Sequence, residues 1–207
     1  MYEKNLANML IADRPRPTVV ILPRGTRRQG SSRAYHFPQL SRENGLGTKE
    51  LITYSLAKLS RHLNRESTLK QARLIITCHS GGGKDAFSVI THLDPNEAHI
   101  FDATYWRPPV AWAKKRISID SSAIQGKSPE EIDEYMRTEG GAMRLFFRPG
   151  TKTAALAQGM RASLPKKADP LHKWYNIVST STAHNSIPGR FGAELLKDQT
   201  CCQEGAL

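Results

Sequence analysis

The sequence predicts an α/β fold in which a mostly parallel central sheet carries helices on both faces, a three-layer sandwich. Five apolar runs of four or five residues are nearly continuous instead of alternating, a pattern typical of strands that are buried on both faces. Stretches with helical spacing separate these runs, so that strand and helix alternate along the chain. The length of 207 residues fits one domain, 1–207, with a flexible tail expected at 198–207.

Each predicted element has its own local signal. The predicted strands are rich in β-branched and aromatic residues and comprise 18–22, 74–78, 98–101, 144–147 and 174–178. The predicted helices place apolar residues on one face and comprise 48–63, 83–93, 128–138, 151–164 and 189–197. The third of these helices begins with Ser128 as N-cap, Pro129 at the first helical position and Glu131 three residues after the cap. Two polar, glycine-, serine- or proline-interrupted stretches, 24–47 and 105–127, are predicted to be long loops.

Composition narrows the class of partner. Thirty Lys and Arg against 19 Asp and Glu leave a net charge of +11, which favours an anionic surface or polymer as a partner. The chain has no recognisable nucleic-acid-binding motif, and its basic residues are scattered over several loops, so nucleic acid is not the expected ligand. We expect no membrane span and no signal peptide, and hence a cytoplasmic protein, because no apolar run has the necessary length. Neither a disulfide framework nor a metal site is expected from the three cysteines and seven histidines.

The segment after the second predicted strand carries most of the chemical information. It reads Cys78-His79-Ser80-Gly81-Gly82 and leads directly into a predicted helix. A serine at such a turn is presented to solvent, beside backbone amides that can stabilise an oxyanion. The segment resembles the G-x-S-x-G nucleophile elbow of the α/β-hydrolase family, with Cys78 in place of the first glycine. The resemblance implies that Ser80 is a nucleophile that forms an acyl-enzyme.

The chain order of two further residues extends this resemblance. Asp102 follows the third predicted strand, and His184 follows the last one after a short polar loop. The order Ser80, Asp102, His184 is that of the α/β-hydrolase catalytic triad. The family more often carries its acid one strand later, where this sequence has Arg148-Pro149-Gly150-Thr151 and no carboxylate. The resemblance covers about residues 18–197 and implies a shortened form of the family's fold. It also implies hydrolysis of an ester, thioester or amide without a cofactor.

The resemblance also implies an oxyanion hole and a substrate pocket. Backbone amides of Gly81 and of Arg24 or Gly25, in the loop after the first predicted strand, are the expected oxyanion donors. Tyr105 and Trp106 follow Asp102 and are expected to line the pocket, under a cap that is formed by the long insertion 103–142. The expected substrate is a small-molecule or polymer-linked ester.

Two other interpretations use the same residues. Residues 78–85 approximate a phosphate-binding G-x-x-x-x-G-K-[ST] loop, but Cys78 and Asp85 stand where that loop needs a glycine and a hydroxyl. This interpretation also leaves His184 without a role. The second alternative is an inactive hydrolase relic that binds an acidic partner through its basic loops. Three observations distinguish these hypotheses. An active serine hydrolase reacts covalently at Ser80, a phosphate-loop protein requires nucleotide and magnesium, and an inactive relic shows neither property.

Overall fold

The computed structural model describes residues 18–23, 26–27 and 35–196 of the chain. Two short strands, β1 (Thr26–Arg27) and β2 (Tyr35–His36), pair in antiparallel fashion. The central sheet has four parallel strands in the spatial order β3-β4-β5-β6. They are β3 (Ile75–His79), β4 (Glu97–Phe101), β5 (Ala142–Phe147) and β6 (Tyr175–Ser179). These strands confirm four of the five predicted ones to within a few residues.

Six helices flank the sheet within the described part of the chain. They are α1 (Pro38–His62), α2 (Gly83–Leu93), α3 (Val110–Ala123), α4 (Pro129–Thr138), α5 (Lys152–Met160) and α6 (Ile187–Leu196). All five predicted helices are present. The predicted capping box of α4 is confirmed, because Ser128 Oγ accepts from the Glu131 amide and the Glu131 carboxylate accepts from the Ser128 amide.

Neighbouring residues of β4 and of β5 pack into different layers. In β4, Ile100 belongs to a large apolar cluster with residues of α2, α3, α4 and α5, whereas Phe101 belongs to a smaller cluster with residues of α6. Leu145 and Phe146 of β5 divide in the same way. The order of the strands explains this distribution, because right-handed crossovers that advance in one direction place the connecting helices on one face. The predicted three-layer α/β arrangement is therefore confirmed.

Three predictions about local structure are wrong. Residues 18–22 form no strand, and their side chains include Val19 and Leu22, which are 47% and 59% exposed. The predicted loop 24–47 contains the start of α1 at Pro38, followed by a break in helical geometry at residues 42–45. The predicted loop 105–127 contains α3, whose Trp112 enters the core although the helix has little apolar periodicity. In α3, burial in the core offsets the weak local signal.

The segment 103–142 contributes α3 and α4 to the layer beside the sheet. Its core residues are Ala103, Trp112, Ala113, Ile124, Ile132 and Met136. The carboxylate of Asp120 in α3 is buried and accepts from the Tyr175 hydroxyl at 2.5 Å and from the Gly141 amide at 2.8 Å. These contacts attach α3 to the edge where β5 and β6 begin, opposite to the edge at which Ser80 lies. The role of 103–142 as a cap over the substrate pocket stays a prediction.

No helix in the described ranges is long and apolar enough to cross a membrane.

Candidate functional site

Ser80 occupies a tight turn between β3 and α2. β3 ends at His79, a single 3₁₀ turn covers Ser80–Gly82, and α2 begins at Gly83. The backbone φ of Ser80 is +53°, in the left-handed region that non-glycine residues rarely adopt and that costs about 1–3 kcal/mol. The loop after β4 passes close by, because a Cβ on Gly83 would lie 2.3 Å from the carbonyl oxygen of Ala103. Close packing thus requires glycine at 83, whereas Gly82 has more space.

Asp102 is fully buried directly after β4 and also has a positive φ, +44°. Its amide donates to the carbonyl oxygen of Phe146 at 2.7 Å, which fixes it to the end of β5. Its carboxylate accepts three side-chain hydrogen bonds: Thr153 Oγ1 to Oδ1, Arg148 Nε to Oδ2 at 2.8 Å, and His184 Nδ1 to Oδ2 at 2.7 Å. Burial alone would raise the pKa of Asp102, but these hydrogen bonds together outweigh it and lower the pKa. The carboxylate is therefore held in its charged form.

The loop after β6 brings His184 back across the sheet edge to Asp102. His184 lies in a 3₁₀ turn that leads into α6, and about a quarter of its side chain is exposed. The ring of His79 lies 4.5 Å from the His184 ring, and its Nε2 donates to the His184 carbonyl oxygen at 3.0 Å. Burial lowers the pKa of His79, and the neighbouring His184 lowers it further. His79 therefore positions the backbone of His184.

The contacts of these residues define what the site can do. His184 uses Nδ1 for Asp102, which leaves Nε2 as the ring nitrogen available to accept a proton. Ser80 follows the residue that pairs with Phe101, and Asp102 follows Phe101, so that both lie one residue beyond neighbouring strand ends. Ser80 and His184 both belong to the described residues, and no hydrogen bond joins Ser80 Oγ to the His184 ring. Such contacts are often loose in proteins without bound substrate.

The expected oxyanion donors divide between described and undescribed residues. Gly81 lies in the first turn after Ser80, where a helical segment leaves its amides without intrahelical acceptors. Arg24 and Gly25 lie outside the described residues. The strand β2 lies against the turn of Ser80–Gly82. Asp85 holds the next segment in place, since its carboxylate accepts from the Phe37 amide at 2.7 Å and from Ser41 Oγ at 3.1 Å.

The predicted pocket residues lie on the surface. Tyr105 and Trp106 are 42% and 37% exposed, and their rings meet edge to face at a centroid distance of 5.9 Å. A cavity of about 470 Å³ lies elsewhere, between α2, α5 and the residues that lead into α3. Its lining includes Phe87, Pro108 and Leu156, but none of Ser80, Asp102 and His184. The predicted pocket role of the two aromatic residues stays a prediction.

The strand-to-helix connection does not favour the phosphate-loop interpretation. Only Ser80–Gly82 separates β3 from α2, which is too short for a loop that wraps a phosphate. Asp85, the residue in place of the magnesium-binding hydroxyl, is engaged with Phe37 and Ser41. Within the described residues, no group of three or more histidine, cysteine, aspartate or glutamate side chains is arranged to hold a metal ion.

Two residues at the site were missed from the sequence. Thr153, in the first turn of α5, donates to Asp102 and in turn lies 2.7 Å from Thr151 Oγ1. Arg148, directly after β5, shares an oxygen of Asp102 with His184. The sequence did carry a signal for Arg148, because Arg148 directly follows a predicted strand. Segments that follow parallel strands lie at the same edge of the sheet, which is the edge that carries Ser80. The threonines gave no signal beyond that of a helix start.

Comparisons of the chain with protein-family models, with curated proteins and with solved structures find no match.

Proposed function

We propose that the protein is a serine hydrolase that cleaves an ester of a small molecule or of a polymer through an acyl-enzyme intermediate. The observation that carries the proposal is the 2.7 Å contact of a fully buried carboxylate, Asp102, with His184 Nδ1 at the sheet edge that holds Ser80. The positive φ of Ser80 on a strand-to-helix turn supports it, because a strained turn of this kind exposes the hydroxyl of a nucleophilic serine.

In the proposed mechanism, Ser80 Oγ attacks the carbonyl carbon while His184 Nε2 takes the hydroxyl proton. Asp102 orients the imidazole and stabilises its cationic form. The amide of Gly81 stabilises the oxyanion, together with a second amide that we assign to Arg24 or Gly25. The tetrahedral intermediate collapses, and His184 passes the proton to the leaving alcohol. Water, deprotonated by His184, then attacks the acyl-enzyme, and His184 returns that proton to Ser80 Oγ as the acid is released.

Turnover of p-nitrophenyl butyrate by purified protein tests this proposal. We expect Ser80→Ala to lose about 10³-fold or more in kcat, because the variant can form no acyl-enzyme. Ser118→Ala is the matched control, since Ser118 is an exposed residue of α3 and should leave turnover unchanged. Equal turnover by Ser80→Ala and the unchanged protein would contradict the proposal. Absence of turnover in the unchanged protein would favour the inactive relic.

A further inference from the structure

Arg148 is an unusual neighbour for the carboxylate of a proposed triad. Its Nε donates to Asp102 Oδ2 at 2.8 Å, the oxygen that also accepts from His184. Its position is fixed by its own backbone, because Thr151 Oγ1 donates to the Arg148 carbonyl oxygen at 2.7 Å. The guanidinium is nevertheless not enclosed, since 34% of the side chain is exposed.

The guanidinium retains most of its hydrogen-bonding capacity. Arginine carries five N–H donors in a rigid plane, and Asp102 uses the one on Nε. The terminal nitrogens Nη1 and Nη2 donate to no residue in the described ranges, and their four N–H groups have the fork geometry that suits a carboxylate or phosphate. Because the group is planar, the contact with Asp102 also fixes the direction of these donors.

The charges around this edge favour an anion. Exposed cations stand in the first turns of the helices that follow three of the central strands: Lys84, Lys152 and Arg190. The carboxylates of Asp85 and Asp102, at the same edge, already accept two and three hydrogen bonds. The excess of positive charge attracts an anionic group to the site.

The proposed reaction gives this charge a further consequence. When His184 takes the proton of Ser80, two cations face one oxygen of Asp102, so that Arg148 competes with the imidazolium for the same negative charge. An anion bound to Nη1 and Nη2 would balance the charge of Arg148 and leave Asp102 to stabilise the imidazolium.

We infer that Arg148 is a specificity-determining residue that binds a carboxylate or similar oxyanion carried by the ester substrate. This inference rests on the proposed function and narrows its substrate class to anionic esters. It also assigns a role to a cation in a segment where the family that the sequence resembles usually carries its acid.

Binding to the Ser80→Ala protein tests the inference without turnover. Chemical-shift titrations compare monomethyl glutarate, which carries one carboxylate, with dimethyl glutarate, which is neutral and otherwise similar. We expect the monoester to bind about tenfold more tightly or better, because it alone can pair with the guanidinium. In the Ser80→Ala background, a second substitution Arg148→Gln should abolish this preference, and Arg148→Lys should retain part of it. Arg65→Gln is the control and should leave the preference unchanged, because Arg65 is an exposed arginine before β3.

Equal binding of the two esters, or a preference that survives Arg148→Gln, would overturn the inference. The first of these comparisons needs no change at Arg148 and so does not depend on the folding of that variant. The proposed function is scored separately by ester turnover of the unchanged protein. A catalytically active protein without anion preference would refute the role of Arg148 alone.

Discussion

Asp102→Asn is the substitution that probes the site most specifically, because it preserves the size of the side chain and removes its charge. The asparagine amide oxygen can accept from His184 and Arg148 only if the NH₂ group faces Thr153, whose hydroxyl can turn to accept. The hydrogen-bond pattern therefore survives in one orientation. The negative charge between His184 and Arg148 does not.

The expected effects on stability and on catalysis differ greatly in size. Loss of the charge leaves Arg148 without its counter-ion, and we expect this to lower the free energy of unfolding by about 2 kcal/mol. The cost is moderate because the Arg148 side chain is partly exposed. In catalysis, the imidazolium of His184 loses its stabilising partner, and the corresponding change in a serine protease lowers kcat roughly 10⁴-fold. This factor corresponds to about 5.5 kcal/mol of transition-state free energy.

The assay measures ester turnover together with thermal melting for three asparagine variants. Asp94→Asn is the mild control, because Asp94 has φ +49°, which asparagine tolerates, and it makes an ion pair with Lys115 at the surface. Asp120→Asn is the structural control. It disturbs a buried carboxylate that binds Tyr175, so it should lower the melting temperature and leave kcat nearly unchanged.

Near-normal turnover by Asp102→Asn would refute the reasoning. It would mean that the His184 contact is structural, or that the imidazolium needs no charged partner. A loss of turnover by Asp120→Asn as large as that by Asp102→Asn would instead attribute the effect to general destabilisation.

Three further substitutions test the packing, the charge and the helix start. Gly83→Ala should lower the melting temperature by several degrees, because its methyl group would lie 2.3 Å from a backbone oxygen of the loop after β4. Glu97→Gln should weaken the acid dependence of the urea midpoint. Burial raises the pKa of Glu97, but the hydrogen bond from His99 and nearby positive charges outweigh burial and lower the pKa. The charged carboxylate therefore stabilises the fold at pH values above its ordinary pKa of about 4.5, and this stabilisation is lost as the pH falls below that value. Ser128→Ala should cost about 1 kcal/mol in urea unfolding, because the N-cap of α4 is lost.

Each of these has its own control. Gly159→Ala lies inside α5 with nothing within 4 Å of the added methyl group, so it should raise stability by about 0.5–1 kcal/mol; a matching loss would contradict the steric argument. If Glu97→Gln and the unchanged protein lost stability in parallel between about pH 5 and pH 2, the buried Glu97 would have no part in acid unfolding. Unchanged stability of Ser128→Ala would show that the capping box adds nothing to the fold.

The central sheet was predictable because its signal is local. Four continuous apolar runs, each followed by a polar segment, correspond to β3, β4, β5 and β6. The helix α3 was not predictable, because its inner face combines the apolar Trp112 and Ala113 with the buried carboxylate of Asp120 and so lacks a clear apolar period. The run at 18–22 has the composition of a strand, but pairing decides strand formation, and no described strand pairs with it.

Part of the site could be predicted for a related reason. Residues that directly follow parallel strands share an edge, so Ser80 and Asp102 could be placed together from chain order alone. The contact of His184 with Asp102 requires a loop to cross the end of β5, and this path is set by packing of α6 on Phe146 and Val178. The contact of Arg148 with Asp102 was missed because a cation was not expected beside that carboxylate.

Labelling with a fluorophosphonate tests the central claim most directly. The reagent phosphonylates a serine only where a base and an oxyanion site activate the hydroxyl. We predict stoichiometric labelling of the folded protein at Ser80 by peptide mapping, with loss of labelling on denaturation and in His184→Ala. Absence of labelling of the folded protein, or labelling at another serine, would contradict the account.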